Sequence, residues 1–231
     1  MALLLSLETS STICSVALLL DGRLLGSSEL RLEKSHSSHI TVLAQQLLAN
    51  TSFTEKDLSA VVVSGGPGSY TGLRIGTSTA KGLCYALDIP LLAVSTLQVL
   101  AWQAVQVTAR AESFKFCPML DARRMEVYTG LYTAGLQEIM PDQALVLEPD
   151  NFKEVLEEGP VLFFGSGAAK WENFMEPHAN AFFLRNVMPE AAAVAELGWK
   201  KFQAGQFENT AYYEPFYVKE VHITKPAAKN Q

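Results

Sequence analysis

Short apolar runs separated by polar turns fill the first thirty residues and predict three strands. The runs span residues 2–7, 13–20 and 23–30. Asp21–Gly22 joins the second run to the third, and this dipeptide is typical of two-residue hairpin turns because it tolerates positive φ at both central positions. The chain is therefore expected to open with a run of strands that contains a hairpin.

Helical and strand patterns alternate through the rest of the chain. Ile40, Leu43 and Leu47 recur at helical spacing, and a β-branched run at residues 60–64 is typical of a buried parallel strand. Further helices are predicted to about residue 87 and at 96–108, 149–156, 165–175 and 189–204, and further strands at 91–95, 114–120, 126–132, 144–147, 160–164 and 181–184. Each half thus contains three strands, a helix, a strand, a helix, a strand and a helix.

This duplicated order predicts an α/β protein of two lobes, each a mixed sheet flanked by helices. The first lobe is assigned to residues 1–108 and the second to residues 109–217, whose last helix can pack back on the first lobe. The polar end of the chain, residues 218–231, is expected to be a disordered tail.

Composition and charge narrow the class of protein. The chain has 231 residues, and its 48% hydrophobic content excludes a disordered protein. The chain has 18 basic and 24 acidic side chains, a net charge of −6. This charge disfavours direct binding of a nucleic-acid backbone by the chain alone, so we expect any role with a nucleic acid to depend on a partner protein. No apolar run approaches the ~20 residues that span a membrane, and the N-terminal run lacks the basic residue of a signal peptide, so we expect a cytoplasmic protein.

The segment GGPGSYTGLRIG, residues 65–76, concentrates the chain's glycines between a strand and a helix. That position favours an anion or a close partner, because free N–H groups and the helix dipole point there. It lacks the Gly-Lys-Ser/Thr of a Walker A loop and the third glycine of a dinucleotide-binding loop. The alternative is a tight turn with a solvated Arg74. The candidate residues of this loop are Gly65, Gly66, Pro67, Gly68, Ser69, Tyr70, Thr71 and Arg74.

The helix after this loop carries small residues at every fourth position, namely Gly72, Gly76 and Ala80. Such a stripe allows another backbone to approach closely, either from a partner or from a neighbouring element of the same chain. The helix at residues 40–48 carries apolar side chains on more than one side, which suits a surface between subunits. The candidate interface residues are Ile40, Leu43, Leu47, Gly72, Gly76, Ala80 and Leu83.

Metal and catalytic signatures are weak. His36 and His39 are three residues apart without further ligands nearby, and no Ser–His–Asp order is present, so no metal site and no catalytic residue is predicted. The three cysteines form no CxxC pair. The adjacent Arg123 and Arg124 could meet phosphate or a partner's carboxylates, or lie solvated in a hairpin.

Four segments resemble the TsaB family, also called YeaZ. They are LETSSTICSVAL (7–18), GGPGSYTGLRIGTSTAKGL (65–83), LDARRMEVY (120–128) and FGSGA (164–168). The resemblance covers about residues 1–217 and implies the ASKHA fold of actin and Hsp70, with two duplicated RNase H-like lobes. The topological prediction made above agrees with it independently.

The resemblance also implies a function. TsaB-like proteins are accessory subunits in forming threonylcarbamoyl-adenosine (t6A) at position 37 of tRNAs that read ANN codons. The TsaD transferase is expected as a heterodimer partner through the helices of the first lobe, with a TsaE-type ATPase in the larger complex and a functional link to a TsaC-type synthase. tRNA is contacted indirectly, and the chain alone forms a homodimer. The isolated chain needs no cofactor, although a nucleotide could bind at the partner interface.

The fold's two phosphate-binding turns look vestigial in this sequence. Neither has the glycines that let backbone N–H groups close around phosphates. Their residues are Glu8, Thr9 and Ser10 in the first turn, and Asp121, Arg123 and Arg124 in the second. A non-catalytic subunit is therefore predicted, against the alternatives of an ATP-dependent ASKHA-type enzyme, such as a kinase or carbamoyl transferase, and a metallopeptidase.

Overall fold

A computed structural model describes residues 1–32 and 36–218 and contains two five-stranded mixed sheets. The first sheet has the order β3-β2-β1-β4-β5. Its strands are β1 (Leu3–Glu8), β2 (Cys14–Leu20), β3 (Arg23–Leu30), β4 (Leu58–Ser64) and β5 (Leu91–Val94), and the helices of the same half are α1 (His36–Asn50), α2 (Tyr70–Leu87) and α3 (Thr96–Val107). The first three strands are antiparallel, whereas β1, β4 and β5 are parallel.

The second sheet repeats this arrangement as β8-β7-β6-β9-β10. Its strands are β6 (Lys115–Asp121), β7 (Glu126–Tyr132), β8 (Glu138–Val146), β9 (Val161–Phe164) and β10 (Ala181–Leu184), and the helices are α4 (Lys153–Glu158), α5 (Ala168–Glu172) and α6 (Ala191–Gln203). The predicted duplicated α/β architecture is confirmed. The predicted strand at residues 144–147 was wrong in extent, because β8 begins at Glu138. The lobe boundary at residue 108 stays a prediction, and the expected tail lies, apart from Val218, outside the described residues.

Each sheet is covered on both faces. On the first sheet, α1 and α2 pack over one face, in a core that contains Leu5, Val63 and Cys84. Because both faces are buried, β1 consists of six consecutive buried residues. On the second sheet, α4 and α5 cover one face, in a core that contains Met119 of β6 and Trp171 of α5.

Helices α3 and α6 are exchanged between the halves. Helix α3, from the first half, buries Leu100 against the second sheet, whereas α6, from the second half, buries Val194 against the first sheet. Gly198 permits this close approach, since a Cβ there would overlap the Val62 side chain. The two helices also contact each other, and Trp102 Nε1 donates a hydrogen bond to Glu196 Oε2 at 2.5 Å. The exchanged pair therefore forms a shared central layer between the sheets.

Candidate functional site

The glycine-rich loop after β4 is docked on the first turn, which joins β1 to β2. The backbone N–H of Ser69 donates to the carbonyl of Ser10 at 2.7 Å. Ser69 also caps α2, because its hydroxyl accepts from the N–H of Gly72 at 3.2 Å. From the other side, Thr9 Oγ1 donates to the carbonyl of Gly72 at 2.8 Å. The loop thus closes against its own chain.

This docking explains why the loop and the start of α2 are rich in glycine. A Cβ at Gly68 would lie 2.5 Å from the carbonyl oxygen of Ser10, and Cβ atoms at Gly72 and Gly76 would overlap the carbonyl and hydroxyl oxygens of Thr9. Gly72, Gly76 and Ala80, which were predicted at a partner interface, are all buried within the chain. Their close approach serves internal packing, the alternative that the sequence left open.

The remaining loop residues divide between interior and surface. Pro67 is buried and follows a cis peptide bond, whereas Tyr70, Thr71 and Arg74 are exposed. Arg74 Nη1 lies 3.2 Å from the hydroxyl of Tyr70, and the guanidinium sits over that ring. Arg74 is therefore held on the surface of the first helical turn, where it faces solvent.

Glu8 fills the centre of the first turn. Its carboxyl is fully buried, and Oε1 accepts from both the N–H and the hydroxyl of Ser10 at 2.5 Å each. Within the described part of the chain, Oε2 has no hydrogen-bond partner. Burial raises the pKa of Glu8, and hydrogen bonds from Ser10 and Ser64 offset part of this rise. Thr9 and Ser10 are at most 2% exposed, so these two residues of the turn are covered by the chain itself.

A segment near the end of the described chain, which was not predicted to be part of the site, covers the glycine-rich loop. We call residues 208–217 the strap. The N–H of Phe216 donates to the carbonyl of Gly65 at 2.8 Å, and Lys81 Nζ donates to two strap carbonyls at 3.1 Å each. A Cβ at Gly66 would lie 2.7 Å from the carbonyl oxygen of Phe216. The aromatic content of this stretch was the one signal that it packs against the protein rather than extending into solvent.

A cavity of about 490 Å³ lies between the strap, the loop and the end of β5. Asp142 of β8 lines it, and its carboxylate accepts hydrogen bonds from the hydroxyls of Ser95, at 2.5 Å, and Tyr132. Burial raises the pKa of Asp142, whereas these hydrogen bonds lower it. The cluster ties edge strand β8 to the start of α3, so it fixes the second sheet against the first half.

The second turn, between β6 and β7, is exposed to solvent at its arginines, whereas Glu8, Thr9 and Ser10 of the first turn are buried. Arg123 and Arg124 are both exposed and both have positive φ, at 69° and 45°. Asp121 Oδ1 accepts from the N–H of Arg123 and from Lys170 Nζ, each at 2.7 Å. Lys170 Nζ also donates to the carbonyl of Arg124 at 2.7 Å. All six predicted turn residues are therefore engaged in hydrogen bonds within the chain that stabilise the two turns.

The predicted interface residues of α1 belong to the core. Ile40, Leu43 and Leu47 are buried against the first sheet, and the partner surface of this helix stays a prediction. Leu83 of α2 is only partly buried. The exposed residues of the helix pair are mostly uncharged, among them Val42, Gln45, Ala49, Ser78, Gly82 and Ala86, with Arg74 at the first turn of α2.

The described residues contain neither a metal-binding cluster nor a membrane-spanning helix. In the described part of the chain, no three His, Cys, Asp or Glu side chains are grouped to hold a metal ion. His36 Nε2 instead lies 3.0 Å from the carbonyl oxygen of Ser11, at the start of α1. No helix within residues 1–32 and 36–218 has the length and apolar character to cross a membrane.

Known proteins with similar sequences and structures share this architecture. A family model described as "TsaD: tRNA N6-adenosine threonylcarbamoyltransferase" matches residues 30–220. The Bacillus subtilis tRNA threonylcarbamoyladenosine biosynthesis protein TsaB is 37% identical over 178 residues, 75% of each chain. The structure of YeaZ from Pseudomonas aeruginosa superposes with a TM-score of 0.80 at 29% identity, covering 94% of this chain and all of the other.

A more distant structure shows the fold alone. Component A of the (R)-2-hydroxyglutaryl-CoA dehydratase of Acidaminococcus fermentans has a TM-score of 0.52 at 11% identity, covering 87% of this chain and 99% of the other. The two duplicated mixed sheets with their flanking helices are thus of the ASKHA type. With the sequence matches over most of its length, the chain belongs to the TsaB/YeaZ family of tRNA threonylcarbamoyladenosine biosynthesis proteins.

Proposed function

We propose that this protein is a non-catalytic subunit required for t6A formation at position 37 of tRNAs that read ANN codons. It acts by binding a TsaD-type transferase, which carries out the chemistry. Family membership supports the pathway, since the B. subtilis relative is named for threonylcarbamoyladenosine biosynthesis. A reaction on tRNA also supports a cytoplasmic location.

The geometry of the first turn, between β1 and β2, supports the proposal that the subunit is non-catalytic. In a nucleotide-binding protein, a phosphate turn needs free N–H groups and open space beside it. Here the start of α2 occupies that space, with Gly68 and Gly72 pressed against Ser10 and Thr9. The Glu8 carboxyl group also accepts a hydrogen bond from the N–H of Ser10, so this N–H is already engaged. This turn supports binding of a partner better than it supports ATP chemistry in the isolated chain.

The solvent face of α1 and α2 supports the partner surface. Helix α1 contains no Asp, Glu, Lys or Arg, and its exposed positions include Val42, which is 41% exposed, and Ala49. On α2, a Cβ at Gly82 would meet nothing within 4 Å. Interface cores are depleted in charged residues, so this face fits a helical surface of the transferase. In its absence the same face forms the homodimer.

The wider assembly follows from the family. A TsaE-type ATPase joins the larger complex, a TsaC-type synthase supplies the activated threonylcarbamoyl group, and the transferase holds most of the tRNA. A nucleotide can bind between this chain and the transferase, where each subunit alone would show only part of the site.

Reconstitution of t6A formation tests the proposal. All components are combined, and product on tRNA is then measured with this chain omitted, with Gly82→Leu and with Gly135→Leu. Omission is expected to abolish product, and Gly82→Leu to abolish both assembly with the transferase and product. Gly135→Leu is the matched control, because Gly135 is exposed in the turn between β7 and β8 and its Cβ would meet no atom closer than 3.7 Å.

Two results would contradict the proposal in different ways. Undiminished product without this chain would refute the required role, and ATP turnover by the isolated chain would restore the alternative of an ATP-dependent enzyme. Normal assembly of Gly82→Leu with the transferase would leave the role intact and move the interface elsewhere.

A further inference from the structure

Arg123 and Arg124 are adjacent arginines in an acidic chain. Both side chains are exposed at the tip of the hairpin between β6 and β7. Across residues 1–32 and 36–218, neither guanidinium lies within ion-pair distance of a carboxylate. Arg31 and Arg185, by contrast, are paired with Glu29 and Glu172. The two positive charges of the hairpin are therefore available to a ligand.

The backbone of the hairpin is unfavourable for arginine and is nevertheless firmly held. Both residues occupy the left-handed region, which glycine and asparagine adopt far more readily. The chain's other tight hairpin places Asp21 and Gly22 in this region, at φ 46° and 83°. The turn between β6 and β7 is fixed by Asp121 and by Lys170, which donates to the Asp121 carboxylate and to the carbonyl of Arg124. The backbone conformation of the turn does not favour arginine. The chemistry of the two guanidinium groups therefore explains their presence better than the turn geometry does.

A second cavity adjoins the turn. Ser166 Oγ accepts from the N–H of Asp121 at 3.1 Å, which joins the turn to a cavity of about 350 Å³. Arg31 and Arg185 line that cavity from opposite halves of the chain. Because both are paired with glutamates, they add no unpaired positive charge to that of Arg123 and Arg124.

We propose that Arg123 and Arg124 bind phosphates of the tRNA backbone in the assembled complex. This inference rests on the proposed function, which brings tRNA to the complex. The planar guanidinium presents paired donors that match phosphate oxygens, and two adjacent arginines on a rigid turn lose little freedom when they bind. Backbone contacts of this kind position the tRNA without reading its sequence.

Salt-dependent tRNA binding tests the inference directly. The double variant R123N/R124N removes both charges, and asparagine keeps the left-handed backbone accessible. R123K/R124K keeps the charges, and R110N is the control, because Arg110 is exposed and has φ 54°. Each protein is assembled with the transferase, and its affinity for a tRNA with an ANN-reading anticodon is measured from about 50 to 300 mM salt.

Loss of two phosphate contacts should reduce the slope of log K against log salt by roughly 1.4–1.8 and weaken binding about tenfold at the lowest salt. R123K/R124K should keep the slope, and R110N should match the wild type. An asparagine variant with the wild-type slope would overturn the inference. If that variant instead fails to assemble with the transferase while R110N assembles, the arginines bind an acidic protein surface, which also overturns it.

The same titration on the chain alone separates this inference from the proposed function. If the wild-type chain does not assemble with the transferase, or product forms without it, the proposed function fails. The free chain should still show weaker tRNA binding with the same loss of slope in R123N/R124N. An equal slope for the free wild type and the variant would then refute the phosphate contacts independently.

Discussion

Replacing Gly72 by alanine tests the docking of α2 on the first turn, with Gly82→Ala in the same helix as the matched comparison. At either position alanine gains up to about 1 kcal/mol of helix propensity over glycine. At Gly82 the new methyl group meets nothing within 4 Å, so this gain should remain. At Gly72 it would overlap the carbonyl oxygen of Thr9, a backbone atom that can yield only if the whole turn moves.

The expected free energies follow from these contacts. Overpacking costs about 1–3 kcal/mol, and displacing Thr9 also weakens its hydrogen bond to the carbonyl of Gly72, worth about 1 kcal/mol. Against the propensity gain, Gly72→Ala should lose about 1–3 kcal/mol of unfolding free energy, whereas Gly82→Ala should gain about 0.5–1 kcal/mol. For a chain of this size, each kcal/mol moves the thermal midpoint by about 2–4 °C.

Urea and thermal unfolding followed by circular dichroism would measure both changes. The two variants should move the midpoints in opposite directions relative to the wild type. If Gly72→Ala proves as stable as Gly82→Ala, then α2 is not pressed against the first turn, and Gly72 and Gly76 would again be candidates for a surface between subunits.

Three further predictions concern buried groups and the strap. Burial raises the pKa of Glu8 above its ordinary 4.5, so the folded state takes up a proton there and loses stability as the pH rises. Glu8→Gln should therefore flatten the fall in unfolding free energy as the pH rises above 4.5, and an unchanged fall in urea titrations would count against it. Lys81→Met removes two hydrogen bonds to the strap, so limited chymotrypsin digestion should cut residues 208–217 faster, and equal rates would contradict the contact. Burial raises the pKa values of the three cysteine thiols to about 11 or 12, so thiol reagents at about pH 8 should label none of them until the protein unfolds.

The order of helices and strands could be predicted from sequence because each element carries its own period or boundary signal. Asp21–Gly22 marks a hairpin through the φ angles that the turn needs, and the apolar residues of α1 mark its buried face. Strand β8 was underestimated because it contains Pro141 and Asp142, which are rare in strands. It lies at the edge of the sheet, where proline is tolerated.

The candidate site was predicted less well, because the responsible contacts join residues far apart in the sequence. The spacing of Gly72, Gly76 and Ala80 shows that they share a side of the helix, but it does not show whether a partner or Thr9 covers that side. The strap has no helical or strand period, so no pattern placed it over Gly65. The glycine motif was located correctly, and only the structure shows what its glycines approach.

The exchange of α3 and α6 has a consequence for how the molecule folds. A chain cut near residue 108 would leave the first sheet without Val194 and its neighbours, and the second sheet without Leu100 and its neighbours. Each fragment would expose an apolar sheet face to water, and burial of that face supplies much of the stability of a domain. The two halves should therefore unfold in a single transition, and neither fragment should be soluble unless the other is present. Two halves of equivalent topology have in this way become one cooperative unit.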